Sequence, residues 1–169
     1  FLEQAATAAL APQGWGPRRE RSGGWTGLAV DGLHLVLTDG RPAYAWAAAH
    51  GQADVAVFDR PLMLPAAPGT ALAYAVADSA SESGRTQAPA WLAALGFTPL
   101  AVADTPGLVV ARTVAMLINE AADSVRQGVC TPEGADAAMK LGVNYPAGPF
   151  EWLASWGAPG VAGVIDALD

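Results

Sequence analysis

The side chains able to do chemistry are few and scattered along the chain. His34 lies in the apolar run Leu33-His34-Leu35-Val36-Leu37-Thr38, and His50 closes an alanine-rich stretch just before Gly51. Either imidazole could serve as a general base, which requires the reacting proton within hydrogen-bond reach. No Cys-His element and no G-x-S-x-G elbow stands beside them, so both are read as structural histidines. Cys130 is the one cysteine. It allows neither an internal disulfide nor a thiolate metal cluster, and a lone thiol suits a reducing compartment, so the cytoplasm is expected. Two histidines without tight spacing to carboxylates leave metal binding unsupported. Ser79, Ser81 and Ser83 around Glu82 read as a solvated loop.

Phosphate binding is the other chemistry to weigh, because short apolar runs alternating with helical stretches resemble a nucleotide-binding sheet. Such a sheet needs a glycine-rich turn after its first crossover strand, so that backbone N–H groups can approach a pyrophosphate. Here that turn is Thr38-Asp39-Gly40-Arg41-Pro42. One glycine, a carboxylate and a proline without an N–H make a poor cradle, and neither G-x-G-x-x-G nor G-x-x-x-x-G-K-[ST] occurs. The sheet is read as scaffold, with no cofactor-binding residue in this chain.

The elements that must position these residues fall into two textures. Residues 1–27 are rich in glycine and proline and read as loop, apart from a short alanine-rich helix over residues 1–10. Strands are expected at Leu33–Thr38, Asp54–Asp59, Ala71–Ala77 and Pro99–Ala103, with helices over Pro42–His50 and Pro89–Leu95. The alternation predicts a small, mostly parallel α/β sheet over residues 1–103. Trp46 and Trp91 fall on helical faces and are read as core. From Asp104 on, the pattern turns helical. Leu108, Ala111, Ala115, Ile118, Ala122 and Val125 recur at helical spacing, which predicts one long helix over Gly107–Gln127. Its apolar arc is wide enough to suggest a subunit or domain interface, and these six residues are the interface candidates. Thr131 as N-cap with Pro132 behind it opens a second helix, Gly148-Pro149 a third and Pro159 a fourth. Trp152 and Trp156, at i and i+4, form one stripe, core or interface.

Composition excludes several classes. The chain has 169 residues, 16 Asp+Glu against 9 Lys+Arg, and a net charge of −7. An acidic surface offers no field for a polyanion, so no nucleic-acid partner is expected. No uninterrupted apolar stretch is long enough to cross a membrane, and no signal peptide is visible. Starting at Phe1 without Met and stopping within a helical pattern, the sequence reads as a piece of a longer protein.

The most specific signal is the stretch from Asp104 to Trp152. It carries Pro106-Gly107, Arg112, Asn119-Glu120-Ala121, Gly128-Val129, Asp136, Ala138-Met139, Gly142, Tyr145-Pro146 and Gly148-Pro149-Phe150-Glu151 in this order. This stretch resembles the C-terminal helical domain of the 3-hydroxyacyl-CoA dehydrogenases, whose pattern runs P-G-F, N-R, N-E-A, G-V and finally A-M, G, [YF]-P and G-P-F-E. The wording is most similar to the second copy of that domain in duplicated bacterial members, the 3-hydroxybutyryl-CoA or 3-hydroxyadipyl-CoA dehydrogenases of phenylacetate degradation. The resemblance implies a reduced Rossmann-like α/β domain over residues 1–103, without dinucleotide fingerprint, followed by an all-α helical domain over residues 104–169. It gives Pro106, Gly107, Arg112, Asn119, Glu120, Gly142, Tyr145, Pro146, Gly148, Pro149 and Phe150 a structural role.

The departures from the family pattern matter as much. The family's catalytic Asn, in its N-R dipeptide, is replaced here by Ala111, and the His-Phe-x-x-Pro element that carries the general base has no counterpart. No catalytic residue is therefore expected in this chain. The resemblance implies NAD and an acyl-CoA substrate for the parent enzyme, an N-terminal catalytic region of the same protein as partner, and a homodimer. The chain itself would serve structure, substrate enclosure and subunit contact. A second reading makes it an independent, non-catalytic module that binds CoA or a nucleotide.

Overall fold

The computed structural model describes residues 25–63 and 66–169. The helix expected over residues 1–10 lies outside the described residues. A mixed five-stranded sheet comes first: β1 (Gly27–Val30), β2 (Leu33–Leu37), β3 (Val55–Phe58), β4 (Ala71–Val76) and β5 (Thr98–Ala101), side by side in chain order. Helix α1 (Ala43–His50) links β2 to β3 and α2 (Glu82–Ala94) links β4 to β5. Four helices follow: α3 (Val110–Arg126), α4 (Pro132–Gly142), α5 (Pro149–Trp156) and α6 (Ala158–Asp166). This is a reduced Rossmann-like sheet domain followed by an all-α domain.

The sheet is not mostly parallel, as the sequence predicts. Pairs β2–β3 and β4–β5 are parallel, whereas β1–β2 and β3–β4 are antiparallel. A parallel pair needs a crossover, and only α1 and α2 supply one, so the remaining connections return antiparallel. Strand β1 is an addition to the sequence reading. Asp31 and Gly32 both have positive φ, 50° and 85°. They form the two-residue turn that favours a hairpin, so the chain folds back one strand before Leu33.

Strand β3 is buried along its whole length and separates two cores. Ala56 and Phe58 pack with Leu35, Leu72, Ala88 and Leu92 under α2. Val55 and Val57 pack with Val36, Trp46 and Ala75 under α1. Alternate side chains thus face opposite helices, which is why this run shows no polar alternation.

Two helix starts differ from expectation. The solvated loop around Ser79, Ser81 and Ser83 is in fact the head of α2. Ser81 is its N-cap and takes the N–H of Gly84 on its hydroxyl at 3.1 Å, and Pro89 sits inside the helix rather than at its start. Helix α3 begins at Val110, because Gly107 (φ 68°) and Leu108 (φ 49°) are both left-handed. Leu108 therefore leaves the helical stripe and is buried in the core under α1. That burial holds an otherwise unfavourable backbone conformation in place.

Candidate functional site

In sheets of this kind ligands bind at the carboxyl ends of the parallel strands, where helix N-termini offer free N–H groups. Here the carboxyl ends of β2 and β3 face α1, α3 and α6. From Gly40 on, the turn after β2 has no free backbone donor to give. Gly40 N–H donates to the Thr38 hydroxyl at 3.2 Å, Arg41 N–H to Asp39 at 3.1 Å, and Pro42 has none. The next two N–H groups, of Ala43 and Tyr44, donate to the two oxygens of Asp104 at 2.6 and 2.8 Å. Asp104 thereby caps α1 from a position 61 residues downstream of Ala43.

Space is closed as well. A Cβ built on Gly40 would lie 2.6 Å from the Gly163 carbonyl oxygen and 2.7 Å from the Val164 Cα. Helix α6 thus rests directly on the turn where a pyrophosphate would have to sit. The residues at this turn do not fit a dinucleotide.

At the end of β3, Asp59 is wholly buried. Its Oδ2 accepts from Val109 and Val110 N–H at 2.9 and 2.6 Å, and its Oδ1 from Ala111 and Arg60 N–H, both at 2.8 Å. Four donors satisfy the buried carboxylate, and it sits at the positive end of the α3 dipole. No local spacing in the sequence announces this cap. Next to it, the Arg60 guanidinium lies 4.8 Å over the Trp156 ring. Burial lowers its pKa from the ordinary value, while Asp59 and Asp39 act in the opposite direction.

The sequence candidates are dispersed. His50 stacks on Trp46 at 3.9 Å and its Nδ1 is 2.9 Å from the Trp46 carbonyl oxygen, which places it as packing for α1. His34 is buried with its ring 5.8 Å from Trp25 and 5.9 Å from Trp46. Cys130 is half-buried in the α3–α4 connection. Among the described residues no three His, Cys, Asp or Glu side chains group to hold a metal, and no helix is long and apolar enough to cross a membrane.

Of the interface candidates, Leu108, Ala111, Ala115 and Ile118 are taken up by the chain's own cores. Ala111, Ala115 and Ile118 pack with Trp152, Val161 and Val164 from α5 and α6. Ala122 is exposed and Val125 half-buried. Trp152 is buried, 5.8 Å from the Tyr145 ring, and its indole N–H donates to the Leu62 carbonyl at 3.1 Å.

Gly148, Pro149 and Gly107 of the motif have clear local reasons. A Cβ on Gly148 would lie 2.2 Å from Asp136 Oδ1, the same oxygen that takes the Phe150 N–H at 2.8 Å. Asp136 thus caps α5, Pro149 occupies its first position, and Glu151 reaches back to the Gly148 N–H at 2.9 Å while pairing with Lys140. Gly107 has its αL turn and stands against Arg112 Cβ. Pro106 and Tyr145 are half-buried, whereas Arg112, Asn119, Glu120, Gly142 and Pro146 are exposed.

Comparison with known proteins draws these observations together. Residues 35–106 match the model of the 3-hydroxybutyryl-CoA dehydrogenase reduced Rossmann-fold domain, and residues 107–169 match that of the 3-hydroxyacyl-CoA dehydrogenase C-terminal domain. The chain belongs to the 3-hydroxyacyl-CoA dehydrogenase family. It is 47% identical over 57 residues to 3-hydroxyadipyl-CoA dehydrogenase of Escherichia coli (strain K12), a stretch covering 34% of this chain and 12% of that protein. The crystal structure of 3-hydroxybutyryl-CoA dehydrogenase from Escherichia coli K12 superposes with a TM-score of 0.77 at 34% identity, covering 90% of this chain and 31% of that one. The (S)-3-hydroxybutyryl-CoA dehydrogenase of Ralstonia eutropha gives a TM-score of 0.63 at 26% identity, over 80% of this chain and 48% of that one. This chain therefore spans less than half the length of each of these relatives.

Val57 is buried in the core under α1. The Ala111 methyl is buried in the helical core while its N–H is held by Asp59.

Proposed function

We propose that this chain is a non-catalytic C-terminal region of an NAD-dependent 3-hydroxyacyl-CoA dehydrogenase, acting in structure, substrate enclosure and subunit contact. The observation that carries this reading is Ala111, wholly buried at the position of the family's catalytic Asn. A methyl cannot orient a hydroxyl or a thioester oxygen, and the sequence carries no His-Phe-x-x-Pro element to supply a base for the hydroxyl proton. Chemistry then falls to an N-terminal catalytic region of the same protein, which supplies the NAD site. The names of the relatives favour 3-hydroxybutyryl-CoA or 3-hydroxyadipyl-CoA as the substrate class of the whole enzyme, and the same reading puts it in fatty-acid or phenylacetate metabolism in the cytoplasm. A homodimer, or pairing with an earlier helical copy, would use the exposed side of α3, where Met116 and Ala122 face solvent.

The test is a direct one. Calorimetry of this chain with NAD, and with CoA, should show no micromolar binding, and no NADH should form with 3-hydroxybutyryl-CoA. Turnover would overturn the reading, and tight CoA binding without turnover would favour an independent binding module.

A further inference from the structure

Two helix N-termini meet the carboxyl edge of the sheet, and each is the kind of place where an anion binds through backbone N–H groups and the helix dipole. In this chain both are occupied from within. The Ala43 and Tyr44 N–H groups of α1 go to Asp104. The Val109, Val110 and Ala111 N–H groups of α3 go to Asp59. We infer that these are anion sites filled by the chain's own carboxylates, which hold the sheet and the helical domain together as one body and close the cleft to external anions.

The two clamps run in opposite directions. Asp59 reaches from the end of β3 to the first long helix of the all-α domain. Asp104, at the end of the connection from β5, reaches back to the first helix of the sheet domain. Between them, Gly107 N–H donates to the Gly40 carbonyl at 2.8 Å and α6 rests on Gly40. Arg60 over Trp156 adds a cation held against the same seam. A cleft that must admit a substrate needs free donors and an opening motion. Here the α3 donors have their partner on the sheet side of the seam and the α1 donors theirs in the connection that leads to α3, so that opening would leave the buried Ala111 N–H without an acceptor. The clamp depends on these contacts alone and not on the role proposed above. Turnover by this chain would sink that role without touching the clamp.

The experiment uses the whole chain. In Asp59→Gly the carboxylate is gone and the vacated space admits a small anion. Sodium formate should raise the thermal midpoint of Asp59→Gly by several degrees relative to sodium chloride at equal ionic strength, and leave the wild type unmoved. An equal response of variant and wild type to formate would overturn the inference. Asp59→Asn keeps the shape and one acceptor oxygen, and covers the case in which Asp59→Gly does not fold. Hydrogen exchange at the amides left facing its Nδ2 should accelerate about tenfold or more. Unchanged exchange at Val109, Val110 and Ala111 would equally overturn it.

Discussion

The buried carboxylate of Asp59 accepts the backbone N–H of Ala111 at 2.8 Å, across 52 residues of sequence. This bond ties the end of the innermost strand to the first turn of the longest helix. It also turns the Ala111 methyl into the core that holds Trp152 and Val161. Ala111→Asn, which would supply the amide that the resemblance implies for the catalytic members, should therefore create no activity. It should instead place an amide among apolar groups and cost roughly 1 to 3 kcal/mol. Urea denaturation measures the loss, and an unchanged midpoint would mean that position 111 opens to solvent.

At Gly40 the turn after β2 packs backbone against backbone on α6. Its φ of 107° is poorly tolerated by other residues, and an added Cβ would overlap the backbone of α6 at Gly163 and Val164. Backbone at both sides of the contact cannot swing away as a side chain would. Gly40→Ala should cost about 2 to 4 kcal/mol. A control at Gly51, also left-handed but with nothing within 4 Å of an added Cβ, should cost less, since only the backbone term remains. Equal losses at the two positions would remove the close-packing argument.

Self-association can be separated from folding on a single helix. Ile118 is 2% exposed and Met116 43% exposed. Ile118→Glu buries an unpaired charge in the chain's own core and should unfold it, so it reports nothing about partners. Met116→Glu should leave the thermal midpoint within about 1 °C, because an exposed substitution costs little. If the outer face of α3 joins two copies, sedimentation at micromolar concentration should show a dimer for the wild type and a weaker one for Met116→Glu. Identical sedimentation of the two proteins would clear that face of the role.

The pairing of Lys140 with Glu151 sets an acid limb on stability. Glu151 is held below its ordinary 4.5, first by the Lys140 hydrogen bond and then by the Gly148 N–H. Lys140 is raised above its ordinary 10.5 mainly by the same bond. A lowered carboxyl contributes above its unfolded value, and that contribution fades as pH falls through the folded value. A raised amine contributes below its unfolded value and loses this as pH rises through the folded one. The pair is therefore fully effective between pH 4.5 and 10.5. Both groups are substantially exposed, so the effect is small and screened by salt. Glu151→Gln should flatten the pH dependence of the melting temperature below pH 4.5, and an unaltered acid limb would show that the pair carries no stability.

By itself the sequence determined what depends on near neighbours. The run Val55-Ala56-Val57-Phe58 is apolar without alternation, and β3 is buried on both faces. Thr131 followed by Pro132 marks the head of α4, and Thr131 takes the Gly134 N–H on its hydroxyl. The family motif from Pro106 to Glu151 identifies the helical domain because its glycines and prolines answer local demands, such as the Asp136 oxygen that leaves no room for a Cβ at Gly148. Asp31-Gly32 and the hairpin that it makes with strand β1 are no part of the sequence reading, which starts its strands at Leu33.

Tertiary structure decided what joins distant residues. Hydrophobic spacing marks Ala111, Ala115 and Ile118 as buried, but an apolar stripe looks the same whether α5 and α6 or another subunit covers it. Strand direction followed from how many crossover helices the chain possesses. The carboxylates of Asp59 and Asp104 look like ordinary surface charges in the sequence, because the N–H groups they satisfy lie 50 to 61 residues away. A helix end must find acceptors for its first N–H groups, but it need not find them nearby in the chain. Only folding shows which carboxylate arrives.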